Sequence, residues 1–145
     1  MALSKAFETF ERPGLVVSYK LANVKIYKGA NVGVNLSGYL VAMNHSTVSL
    51  KYVGVANDTV DNSAGANGDK SMNVTKTGSF VFKAAASFSP NQAEVGKEVY
   101  AVTDWEVQAA TAGLTNQYKV GTIVALETTS TGVTGVRVRN DNYSV

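Results

Sequence analysis

Beyond Gly14 the apolar residues fall into short runs, some of them with the period of two expected of strands whose side chains alternate between a core and solvent. The clearest run is VRVRN, in which Val136 and Val138 face one way and Arg137 and Arg139 the other. LVVSYKLANVKIY, GYLVAM, STVSLKYVGVA, KSMNVTKTGSFVFKAA, KEVYAV and KVGTIVALETT are further runs. They are rich in β-branched and aromatic residues and bounded by Gly, Asn, Asp or Ser. Together they amount to roughly seven to nine strands, which predicts an all-β fold, a compact small barrel or sandwich.

Two segments depart from this period. In ALSKAFETFE, Leu3, Ala6, Phe7 and Phe10 are spaced as one face of a helix, halted by Pro13 and Gly14. Residues 1–14 therefore read as an N-terminal arm or short helix, and residues 15–145 as a single β domain. A segment this short is marginal alone in water and must dock to persist. SPNQAEVG allows one turn after Pro90. Residues 56–73, ANDTVDNSAGANGDKSMN, form the clearest loop, with the Asn, Asp and Gly content of positive-φ turns and a solvated tip. Asp58, Asp61 and Asp69 do not match a twelve-residue calcium loop, because no Glu closes it, so no metal is expected.

The stretch GKEVYAVTDWEV holds Glu98, Asp104, Glu106 and the one tryptophan, Trp105. As a single strand it would set Asp104 and Glu106 about 6.5 Å apart on one face, within the range of paired glycosidase carboxylates. The alternative is a hairpin, KEVYAV turning at TDWE into VQAA, with the acids at a turn and Trp105 capping an edge. The hairpin is preferred, since one tryptophan does not furnish the aromatic cleft of a sugar hydrolase.

Composition narrows the chemistry further. There are no cysteines, which excludes disulfides and thiolate chemistry. His45 is the single histidine, so two-histidine metal sites are excluded; in MNHST it reads as an exposed turn residue. No G-x-S-x-G elbow is present, and Gly96-Lys97 lacks the glycine and hydroxyl of a phosphate loop. Neither a catalytic residue nor a cofactor is expected. Thirteen basic against eleven acidic residues give a net charge of +2 with no basic run, which argues against nucleic acid as a partner. The opening residues lack the apolar run of a secretory signal, and no segment has the ~20 apolar residues of a membrane helix.

The order of the runs carries a resemblance. Val53 to Ala56 (VGVA), Gly78 to Phe80 (G-x-F), Gly96 to Tyr100 (G-x-x-V-Y) and Val120-Gly121 follow one another as in the capsid cement, or head decoration, proteins of tailed bacteriophages, whose small fold is termed a β-tulip. The similarity covers roughly residues 20–140; the loop at 56–73 looks longer than the family's connection, and the N-terminal segment has no counterpart in it. The resemblance implies a non-enzymatic virion protein, assembled in the host cytoplasm and placed on the outer surface of the head. There it would clamp neighbouring copies of the major capsid protein, as a homotrimer. Leu3, Phe7, Phe10, Arg12 and Trp105 are then the expected contacts with capsid or neighbouring subunits. A different reading is a receptor- or glycan-binding module, with Tyr52, Tyr100 and Trp105 around a shallow site.

Overall fold

The computed structural model describes residues 14–141. Leu3, Phe7, Phe10 and Arg12 lie outside the described residues, as does the arm or helix expected there. The described chain is all-β, with twelve strands and one 3-10 turn.

Five strands form an open sheet in the order β1 (Val16–Lys20), β7 (Ser71–Thr75), β5 (Lys51–Ala56), β3 (Asn31–Val34) and β4 (Leu40–Ala42). Five others close into a small barrel: β10 (Glu106–Gln108), β8 (Thr77–Ala84), β12 (Thr134–Asp141), β11 (Lys119–Thr128) and β9 (Glu98–Ala101), with β9 pairing back onto β10. All barrel pairings are antiparallel except β10 with β8. The short strands β2 (Lys25–Ile26) and β6 (Val60–Asp61) pair separately. Closure leaves the barrel with no free edge to stretch or recruit a foreign strand.

Two cores flank the open sheet. Met43, Leu50, Tyr52 and Val55 join the barrel's interior residues, among them Phe82, Val99, Val107, Ile123, Val136 and Val138. Leu21, Ile26, Val32, Leu40, Val53, Met72 and Val74 form the second core, on the side of the short β2–β6 pair. KYVGVA in β5 explains how: Tyr52 to Ala56 are all buried, Tyr52 and Val55 in one core and Val53 and Ala56 in the other. A strand buried on both faces reads as a continuous apolar run rather than an alternating one. VRVRN behaves as expected, with Val136 and Val138 wholly buried and both arginines outward.

Two of the expected runs are broken. KSMNVTKTGSFVFKAA divides at Lys76, where the chain leaves the open sheet for the barrel; this lysine is buried and its Nζ lies 3.0 Å from the Tyr19 hydroxyl. LVVSYKLANVKIY divides at 21–24, where a Val24 N–H bond to the Ala22 carbonyl makes a tight turn. Beyond Pro90, Gln92–Glu94 makes the single turn foreseen, capped by the Asn91 side chain accepting from Ala93 N–H. Among the described residues no helix is long and apolar enough to cross a membrane.

Candidate binding cleft at the barrel turn

The hairpin reading of GKEVYAVTDWEV holds. β9 and β10 pair antiparallel, Ala101 opposite Val107, and residues 102–105 make the turn. Thr103 shapes it locally, its Oγ1 accepting from the Glu106 N–H at 3.2 Å. Neighbouring elements then clamp its backbone. Asn31 N–H donates to the Asp104 carbonyl at 2.6 Å, Lys83 N–H to the Trp105 carbonyl at 3.1 Å, and His45 N–H to the Val102 carbonyl at 3.2 Å. The turn is thus tied to both the open sheet and the barrel.

This clamp presents Trp105 outward, 47% exposed, with Lys83 Nζ 4.5 Å from its ring centroid. Lys83 also holds Glu106 at 2.6 Å, so this carboxylate is engaged by an ammonium. Asp104 is half-buried and makes no ion pair among the described residues. Burial pushes its carboxyl above the usual carboxylate range, and the charge of Glu106 pushes the same way; its own backbone N–H opposes them. Beside the turn opens a cleft of about 350 Å³, lined by Tyr27, Lys28, Lys83, Asp104, Trp105 and Thr131 among others.

The aromatic set anticipated around Trp105 is corrected. Tyr52 is buried, 8% exposed, and belongs to a polar bridge: its hydroxyl donates to Asn31 Oδ1 at 3.1 Å and accepts from Asn140 Nδ2 at 2.8 Å. Tyr100 is half-buried, and its hydroxyl donates to Glu98 Oε2 at 3.3 Å. The second exposed aromatic in the Trp105 cleft is Tyr27, 59% exposed. The local sequence marks only a turn at Lys28-Gly29 and gives no sign that Tyr27 stands beside Trp105.

His45 lies in a turn, as expected, but is not exposed. It is half-buried, its Nδ1 accepts from Thr115 N–H at 3.2 Å, and its carbonyl accepts from both nitrogens of Asn116. It fastens the β4–β5 connection to the loop before β11. The 56–73 loop is likewise anchored rather than a simple solvated tip. Asn62 is buried and donates to the carbonyls of Ala22 and Ala66. Asp61 accepts from the Ser63 hydroxyl and N–H, which holds its carboxyl below the ordinary range, and Asp69 accepts from Ala66 N–H. Among the described residues no His, Cys, Asp or Glu cluster could hold a metal ion.

A second cleft, about 480 Å³, lies where β5, β11 and β12 meet; of its cations Lys51, Lys119 and Arg139, the last two are set against Glu98 and Asp141. No protein-family model, curated protein or solved structure matches the chain.

Proposed function

We propose that this chain is a non-enzymatic head decoration protein, which binds the outside of a phage capsid as a homotrimer and clamps neighbouring major capsid subunits. The observation that carries the reading is the placement of the four signposts. VGVA lies in β5, G-x-F lies in β8, G-x-x-V-Y leads into β9, and Val120-Gly121 lies in β11. At two of them glycine is required by geometry. A Cβ on Gly54 would run into the Thr75 carbonyl oxygen, and one on Gly121 into that of Arg139. The side chains that could suggest catalysis also have internal duties: Glu106 holds Lys83, and His45 ties two loops.

The job asks for a body that does not stretch and a grip that reaches outward. A closed barrel hydrogen-bonded around its circumference supplies the first. The apolar Leu3, Phe7 and Phe10, a stripe read from the sequence, are proposed for the second, and three tethered segments would bind more tightly than one because later docking steps are intramolecular. Light scattering coupled to size exclusion, with sedimentation against isolated heads stripped of decoration, tests this. The full chain is expected to run as a trimer and to co-sediment. Removal of residues 1–13 is expected to weaken head binding by about tenfold or more with the β circular-dichroism spectrum retained. A monomer that leaves heads bare overturns the reading.

A further inference from the structure

We propose that the cleft between Trp105 and Tyr27 binds a neutral sugar ring of a glycan. Single exposed aromatics are ordinary on protein surfaces, but here two stand in one concavity of about 350 Å³. That volume lies at the small end of the range for ligand sites, roughly 300–1,000 Å³, and suits one or two rings rather than a folded partner. The rim is stiff. Asp104 and Trp105 are both gripped through their carbonyls, by Asn31 and Lys83, so the platform is formed before any ligand arrives.

The charges select the class of ligand. Lys28 and Lys83 line the cleft together with Asp104, and Glu106 stands behind Lys83. A cationic ligand meets two ammonium groups, and an anionic one meets Asp104. A neutral ring with apolar faces and a polar edge meets no like charge. Its C–H face lies on the indole, as suits a large ring with one apolar side. Its edge hydroxyls donate to the Asp104 carboxylate, which has no ion-pair partner among the described residues, and accept from Lys28 and the Thr131 hydroxyl. A partly desolvated carboxylate without a countercharge is unfavourable to keep, and a donor-rich ligand relieves it. The site functions whether or not the chain sits on a capsid.

The test is amide-shift mapping of the ¹⁵N-labelled full chain against the methyl glycosides of glucose, galactose, mannose and N-acetylglucosamine, each at millimolar concentration. At least one is expected to shift amides around Tyr27 and residues 103–106. Trp105→Ala is expected to weaken that binding by about tenfold or more, with an unchanged melting curve, while Trp105→Phe keeps most of it. No shifts from any of the four sugars, or shifts that survive Trp105→Ala, overturn the assignment. So does the pairing of no sugar response with loss of head binding by Trp105→Ala, which makes the cleft a protein contact. Sugar binding by a chain that ignores heads sinks the capsid reading and leaves this one standing.

Discussion

At the residue scale the molecule places polar groups where they are costly, and each has an identifiable duty. Tyr52, Asn31 and Asn140 bridge the open sheet to the barrel, yet Asn31 Nδ2 and Asn140 Oδ1 have no hydrogen-bond partner among the described residues. Such a bridge contributes less net stability than its two bonds suggest, but it aligns two layers that apolar packing alone leaves free to slide. Asp104 is the other case. Its carboxyl titrates above the ordinary value in the folded chain, because burial and Glu106 disfavour its charge. A group with a raised folded pKa contributes stability fully present below its unfolded pKa, about 3.9, and lost as pH rises through the folded value. At pH 7 the ionised side chain is therefore a liability. Asp104→Asn is expected to raise stability there by no more than about 1 kcal/mol, since water screens a half-exposed group. The gain should fade near pH 3.5, where the acid is protonated. Urea midpoints at the two pH values check it; an equal gain at both, or none at pH 7, contradicts it. The same substitution turns one of the two accepting oxygens into an NH2 donor and removes the charge that strengthens the bonds from sugar hydroxyls, so stability and binding move in opposite directions.

At the scale of elements, close backbone approaches explain both what the sequence disclosed and what it hid. In β11 the pairing register with β9 shifts between Lys119 and Gly121, and there the chain passes so near β12 that no Cβ fits beside the Arg139 carbonyl. Gly121→Ala is expected to destabilise by about 2–3 kcal/mol, as overpacking does, lowering the melting temperature by roughly 4–12 °C for a chain of this size. Gly14→Ala, with open space around its Cβ, should leave the melt nearly unchanged and serves as the control. The strands that alternate cleanly, β12 above all, were legible because one face meets the core and the other water. β3 was not, since NVGV looks like a turn until Gly33 is seen against Met43 and the Lys51 carbonyl. The two-residue strands β2 and β6 carry too few residues for any period to show. The hairpin and its tryptophan were readable from turn chemistry. Tyr27 was not, because the fold, not the local sequence, carries it to Trp105: Asn31, four residues on, is the residue that grips Asp104.

At the scale of the whole molecule, the two cores share a wall, and that decides how the protein fails. β5 gives Tyr52 and Val55 to the barrel side and Val53 and Ala56 to the other, so neither core can open without exposing part of its neighbour. Cross-ties add to the coupling: Leu50 N–H donates to the Tyr118 hydroxyl at 3.2 Å, and Asn31 N–H to the Asp104 carbonyl. A single cooperative transition follows, as is usual for one domain of this size. Trp105 fluorescence reports the barrel turn, whereas far-ultraviolet circular dichroism reports all strands. Their urea midpoints should coincide. Val53→Ala, which empties space only in the core away from the barrel, should move both midpoints together by about 1–3 kcal/mol of lost stability. If the tryptophan signal holds while the dichroism falls in two steps, the layers unfold independently and the shared-wall account is wrong. Without this coupling, a layer that could peel away alone would set the strength of the whole.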